Sequence, residues 1–385
     1  MNWTPSRHRI ALEVITPTHI GSGKALHGNA EYIWFGNERV CAIIDDAKIL
    51  QILGPDRIDL WINAVEKPER ISLIEVLKRF KSDITSDSIA QRVLSHEGTL
   101  FPRADHPLRE FIRTGTNHNY IPGSSIKGAI RTALFSVNMK QEKSVDEAEI
   151  NANHNNNRRP RYTAARLEKR TFGSNPNEDL LRFLRVADFS FPNHPTQSAF
   201  AQTFNMTRLG RRDDGSDDLY EIKDSVKQLL EYLPVGSRTT GSISISANQR
   251  KQFLKKNSSS HSMVFDLPEL FERVNRHTAA QLRSEIDNYK YADLPDSANL
   301  FVDHLKDLLD QLEQLSSDSC LLRLGFATGL RNMTGGWWTE TLSNEQYDKL
   351  SDQIRPLRYN NFPLPKSRRF IFDGQPMGFI KLTYS

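Results

Sequence analysis

Apolar residues alternate with polar ones from Arg9 to Ile15 (RIALEVI), the period of a half-buried strand, and the run passes into TPTHIGSGK, which carries the Pro and Gly of a turn. The strand pattern returns at Glu31–Phe35 and Val40–Ile44, and Gly36-Asn37 between them predicts a hairpin. Ala47–Leu53 and Ile71–Phe80 have helical spacing instead. At Ile121–Phe135 a Pro-Gly-Ser turn gives way to small and apolar residues at helical intervals, namely Ile126, Ala129, Ile130, Ala133 and Leu134. Ser124 or Ser125 is the expected N-cap, because a side-chain oxygen there can accept from the free N–H groups of the first turn.

Apolar residues then nearly vanish over KSVDEAEINANHNNNRRPR, which predicts a flexible insertion. Asp179–Phe191 reads as a short helix passing into a strand, Asp213–Asp218 (DDGSDD) as an acidic loop, and Lys255–Ser262 (KKNSSSHS) as a polar linker. Leu267–Tyr291 and Ala298–Leu315 look helical, the second with Phe301, Leu305, Leu308, Leu309, Leu312 and Leu315 on one face, the stripe of a core-facing helix. The last part holds a strand at Cys320–Leu324, the glycine-rich loop GFATGLRNMTGGWW, and a closing strand at Met377–Leu382. The pattern implies an α+β protein in five stretches: a core half over 1–140, a flexible basic insertion over 141–178, the remainder of the core over 179–250, a helical region over 263–318, and C-terminal strands with the glycine loop over 319–385.

Composition narrows the function. A chain of 385 residues can bury a sizeable core as two domains or one decorated domain. Lys and Arg number 51 against 47 Asp and Glu, a formal charge of only +4, but Arg158–Arg170 (RRPRYTAARLEKR) concentrates arginine beside a single Glu and can attract polyanions. Cys41 and Cys320 stand far apart, with neither disulfide-framework nor zinc spacing. The start, MNWTPSRHRIALEV, has no apolar signal core and no later run has the length of a membrane span, so a cytoplasmic protein with reduced thiols and no membrane is expected.

The turn Pro122–Gly128 (PGSSIKG) places small residues at a helix start, where free N–H groups can face an anion. Lys127 and Arg131 follow one turn apart on one face, and Gly128 permits a close approach. Gly21-Ser22-Gly23-Lys24 imitates the end of a nucleotide-binding loop, but Thr18 stands where that motif needs glycine and Ala25 where it needs the magnesium-binding Ser or Thr. His19, Gly21, Gly23 and Lys24 instead make a second small-residue turn, and Gly325, Gly329, Gly335 and Gly336 with Arg323, Arg331 and Asn332 make a third. Three such turns could surround one strand of RNA, with Trp337 and Trp338 available for stacking or for packing.

Taken in order, TPTHIGSG, IPGSSIKGAIRTALF, FGSNPNEDLLRFLRVADFS, LGFATGLRNMTGG and PMGFIKL resemble the RAMP superfamily of CRISPR proteins, and within it their order and spacing are similar to the fifth-subunit family of Csm-type, type III-A effector complexes. The resemblance implies a ferredoxin-like, RRM-related fold with helical insertions. It also implies a non-catalytic subunit that binds the CRISPR guide RNA near its 3′ end, caps the backbone filament, joins the other Csm-type subunits, and supports guide maturation with host nucleases. By the same resemblance the RNA contacts fall on Gly123, Ser124, Ser125, Lys127 and Arg131, then on His19, Gly21, Ser22, Gly23, Lys24, Gly325, Arg331 and Asn332, with no cofactor, metal or catalytic residue. Target-cleaving relatives carry an aspartate after the N-terminal glycine turn. Here KALHGNAEYIW has none, and Glu31 falls in an expected strand. The alternative is guide processing by acid-base catalysis, for which His8, His19 and His27 lie near the turn.

Overall fold

The structure is a computed structural model that describes residues 6–140, 164–208, 218–256, 266–290, 292–333, 336–337, 341–343, 345–347 and 366–384. Its centre is a five-stranded sheet in the order Ser319–Arg323, Phe379–Tyr384, Ser6–Val14, Arg238–Ile245, Leu184–Val186, every neighbour antiparallel. The predicted alternation decides which face is inside: Ile10, Leu12 and Val14 are buried, while Arg7, Arg9 and Ala11 face solvent. The helices Gly123–Met139 and Leu267–Asp287 cover the inner face, laying Ile126, Ile130 and Ala133 of one and Phe271 and Val274 of the other against Ile10, Ile243 and Ile380. Each such large side chain contributes roughly 1.5–3 kcal/mol on burial.

Followed along the chain, Ser6–Val14, the first helix, Leu184–Val186, Arg238–Ile245, the second helix and Phe379–Tyr384 make a β-α-β-β-α-β unit with the ferredoxin-like strand order fourth, first, third, second. The added strand Ser319–Arg323 and its neighbour are backed by the helix Asp296–Glu313, whose predicted stripe is confirmed: Phe301, Leu305, Leu308 and Leu312 are buried against Leu321 and Phe379.

A second sheet runs Ala292–Asp293, Asp218–Ile222, Gln197–Arg208, Gln228–Tyr232, Leu108–Phe111, Gly21–Leu26, and Ser367–Phe370 also pairs with the long strand Gln197–Arg208. The predicted hairpin forms as Tyr32–Phe35 against Val40–Ile44, with Ala90–Ser95 beside it. Four short helices between residues 46 and 89 pack on this small sheet around Ile33, Ile44, Ile49, Leu73 and Leu77, a core drawn from one continuous stretch of sequence.

Some expectations are corrected. Gly21–Lys24 is an edge strand with a bulge rather than a turn, since it pairs with Leu108–Phe111 through a register shift between Gly21 and Ala25 and holds Gly23 at φ +91°. Neither Ser124 nor Ser125 is the N-cap: both lie inside the first helical turn, and Pro122, whose fixed φ suits the entry, occupies that position. Residues 141–163 of the expected insertion lie outside the described residues, but Ala165–Phe172 is a helix with Leu167 and Phe172 buried, so flexibility does not extend through 178. Residues 209–217 and 257–265, with most of the acidic loop and the polar linker, also lie outside the described residues. The helix Ile58–Glu66 was not anticipated.

Candidate nucleic-acid interface

Glu231 lies on an inner strand of the second sheet with its side chain fully buried. Its carboxylate accepts from Arg92, Arg113, the Thr196 hydroxyl and the Phe111 backbone N–H. Burial pushes this carboxyl up, but the Arg92 and Arg113 guanidiniums outweigh it and hold the group below the usual carboxylate range. Arg92 also reaches Glu110 at 3.2 Å, and Glu110 accepts the Ser22 hydroxyl at 3.0 Å. The Glu231 carbonyl in turn accepts from His19 Nδ1. One buried ion cluster therefore fixes the segment from His19 to Ser22 at both ends.

The structure places His19 beneath the surface, 3% exposed, with Phe111 and Phe326 packed edge-on around it. Burial lowers its pKa and so favours the neutral ring, and Nδ1–H donates to the carbonyl. The His19 carbonyl accepts the Phe326 N–H at 2.9 Å, and a Cβ on Gly325 would lie 2.5 Å from the same oxygen. Only glycine, here at φ +82°, lets the two segments close on each other. Two of the three predicted glycine segments thus meet at Phe326.

Two arginines flank that ring: Arg109 at 5.7 Å and Arg369 at 5.3 Å from its centroid. Arg109 stands on Leu108–Phe111 between buried Leu108 and Phe111 and is aligned with Ala25, next to Lys24. Arg369 is aligned with Thr203. Lys24, Arg109 and Arg369 are exposed and have no carboxylate partner among the described residues. Burial and then the charge of Arg109 lower the Arg369 pKa, so the two cations face one small area. Neither arginine was singled out from the sequence. Each sits in a short strand outside the glycine motifs, and the available signal was a cation alternating with buried apolar residues in LREF and SRRF.

The third segment starts the helix Gly123–Met139. Its first N–H, from Gly123, donates to Asp188 Oδ1 at 2.7 Å, and a Cβ on Gly123 would lie 2.2 Å from the Val186 carbonyl. Ser124 and Gly128 are exposed, and Ser125 and Lys127 are half-buried. Burial lowers the Lys127 pKa, Asp179 opposes this, and Arg131 and Arg185 add to it. Arg131 pairs with Asp179 at 2.7 Å and Glu168 at 3.5 Å and lies 4.0 Å over the Phe172 ring. Arg331 is buried, donating to Ser284 at 2.8 Å and facing Glu285 at 3.8 Å. Asn332 donates to the Thr328 carbonyl. These three side chains are engaged by the fold itself.

Trp337 is buried against Phe135, the packing assignment, while Gly335 and Trp338 lie outside the described residues. Both thiols are buried, that of Cys41 pushed up to about 12 by burial. Among the described residues no three His, Cys, Asp or Glu side chains could hold a metal ion, and no helix is long and apolar enough to cross a membrane.

Comparison with known proteins adds to this. A 157-residue stretch is 26% identical to the CRISPR system Cms protein Csm5 of Enterococcus italicus, covering 35% of this chain and 44% of that relative, less than half its length. A chain in the cryo-EM structure of a Csm-crRNA-target RNA ternary complex of a type III-A CRISPR-Cas system superposes with a TM-score of 0.69 at 18% identity, over 99% of this chain and 100% of that one. The crystal structure of T. onnurineus Csm5 superposes with a TM-score of 0.61, again at 18% identity, over 96% and 99% of the two chains. The sequence model of the RAMP superfamily matches residues 11–328, which takes in both helices of the β-α-β-β-α-β unit and the two glycine segments that meet at Phe326, and the chain belongs to that superfamily.

Proposed function

We propose that this chain is a non-catalytic guide-RNA-binding subunit of a Csm-type, type III-A CRISPR ribonucleoprotein. In this reading it caps the backbone near the 3′ end of the guide, supports 3′ maturation with host nucleases, and acts in the cytoplasm in antiviral defence beside the other Csm-type subunits. The carrying observation is the pair Arg109 and Arg369, which flank Phe326 where two glycine segments meet and have no carboxylate partner among the described residues. Such cations suit phosphates, and glycine backbone nearby allows a sugar to approach. The names of the similar proteins agree with this reading. The helix start at Ser124, Ser125 and Lys127 and the strand Gly21, Ser22, Gly23 and Lys24 supply further contacts, while Gly123 acts by seating the helix against the Val186 carbonyl. Gly325 acts by letting the loop close, and His19, Arg131, Arg331 and Asn332 act by holding these segments in place.

The endoribonuclease alternative needs a histidine that reaches RNA and exchanges protons near neutral pH. His19, buried and bonded to the Glu231 carbonyl, supports positioning instead.

The test is RNA binding by the Arg109→Ala/Arg369→Ala chain across a salt series. Loss of two phosphate contacts reduces the salt slope by about 1.4, at about 0.7 per contact on single strands. Unchanged affinity and slope would remove this surface from the RNA site. Incubating the wild-type chain with labelled repeat RNA should give no discrete products, and cleavage abolished by His19→Ala would overturn the non-catalytic assignment.

A further inference from the structure

The outward face of the central sheet has no place in the interface around Phe326. Helix Asp296–Glu313 backs its Ser319–Arg323 side, but the strands Ser6–Val14, Arg238–Ile245 and Leu184–Val186 turn outer side chains toward solvent, with Arg7, Arg9, Ala11, Thr240 and Arg185 exposed and Ser242 and Ser244 half-buried. Those side chains are Arg7, Arg9 and Ala11 on the first strand, Thr240, Ser242 and Ser244 on the second, and Arg185 on the third. The register aligns Arg7 with Ser244 and Ser244 with Arg185, so two arginines flank one serine in a row across three strands, and Arg9 is aligned with Ser242 in the next outward row.

Charge on this face is one-sided. Arg7, Arg9 and Arg185 have no ion pair among the described residues. Among the described residues its one carboxylate, Glu13, already holds both Arg238 at 2.6 Å and Lys381 at 2.8 Å. Five cations therefore share one anion. An excess of cations on one face, with no carboxylate left over to neutralise them, suits a surface that receives negative charge from outside.

We propose that the open face bearing Arg7, Arg9 and Arg185 is a second RNA-binding surface, which tracks the phosphate backbone of a single-stranded segment without reading its sequence. The spacing fits a backbone track. Arg7 and Arg9 are about 7 Å apart along the strand, and Arg7 and Arg185 about 10 Å apart across two inter-strand steps. The outward positions between them are Ala, Ser and Thr, so a sugar-phosphate chain can lie flat on the sheet. No aromatic side chain stands among these outward positions, so the base stacking used by sheet-binding RNA modules has no platform here.

The edge strand that carries Arg185 borders the helix start. Arg185 is close enough to Lys127 for its charge, after burial and alongside Arg131, to act on that lysine, and Asp179 is the opposing carboxylate. The helix start adjoins the same edge strand, since a Cβ on Gly123 would lie 2.2 Å from the Val186 carbonyl, one residue from Arg185. This inference rests on the RNA-binding reading above but uses different residues, so the two can fail separately.

The experiment compares the full-length wild type, Arg7→Ala/Arg9→Ala/Arg185→Ala, its triple Lys counterpart, and Arg109→Ala/Arg369→Ala, using a labelled unstructured single-stranded RNA over a salt series. The triple Ala chain should lose about 2 from the salt slope, about 0.7 per lost phosphate contact, equally for RNAs of different sequence. The triple Lys chain should recover most of it, and the melting temperature should hold because no ion pair is removed. A triple Ala chain that binds like wild type while the Arg109/Arg369 variant weakens would overturn this surface and leave the function standing. Binding unchanged in both variants would overturn both. Unchanged RNA binding with lost co-purification of neighbouring subunits would overturn it in favour of a protein interface.

Discussion

The loop Gly325–Asn332 and the strand Leu108–Phe111 each carry an arginine, and the fold treats the two in opposite ways. Arg331 turns inward to Ser284 and Glu285, and Glu285 also holds Arg368 through both of its oxygens. Arg109 turns outward over Phe326 and has no carboxylate partner among the described residues. The loop has the more suggestive composition, yet its cation stabilises the protein, while the plain strand presents the cation that is available to a ligand. An arginine in a glycine-rich segment carries no information about function until its carboxylates are located.

The largest effect expected from this contrast is on stability. Glu285→Gln leaves the Arg368 and Arg331 charges in the interior without their anion and should cost roughly 3–5 kcal/mol by denaturant unfolding. RNA affinity of the folded protein should not rise. A gain in affinity would mean that Arg331, once released, is an RNA contact, and the contrast would collapse. Next in size is an acid effect on the same helix. His277 is buried, and burial, aided by the charge of Lys140, lowers its pKa to about 4. The unfolded chain, with an ordinary histidine pKa of about 6.5, binds the proton more tightly, so stability is fully present above about pH 6.5 and is lost as pH falls toward 4. The share at stake is on the order of 3 kcal/mol, and His277→Gln should flatten the unfolding free energy across that window. An unchanged pH profile would place the acid sensitivity in His19 and His96, both also lowered by burial. The smallest effect belongs to Arg131→Ala, which removes a partly exposed ion pair and a ring contact and should cost about 1 kcal/mol. Its RNA affinity should fall less than that of the Arg109/Arg369 variant, and a larger fall would return Arg131 to the interface.

Much of the fold was legible because burial writes a period into the chain. Ile10, Leu12 and Val14 announced a strand, and Phe301, Leu305, Leu308 and Leu312 a helix, since one face of each must leave water. The family could be read from the ordered glycine motifs. Less legible was anything decided by a distant partner. The first N–H of the helix at Gly123 is satisfied by Asp188, 65 positions away, so no serine was needed as a cap. Gly21–Lys24 has turn composition, but pairing with Leu108–Phe111 makes it a strand, and tertiary pairing overrides local preference. Arg109 and Arg369 come together only because two strands remote in sequence border the same loop.

The central strand Ser6–Val14 lies between neighbours drawn from residues 238–245 and 379–384, with Ile10 paired to Tyr384. That strand therefore finds its partners only across large sequence separations, and such non-local pairings are slow to form and exposed to wrong pairings. The core around Ile33 and Leu77, by contrast, is drawn from one continuous stretch of sequence. The small sheet can close from neighbouring residues, whereas the central sheet has to bring together segments remote from one another in sequence.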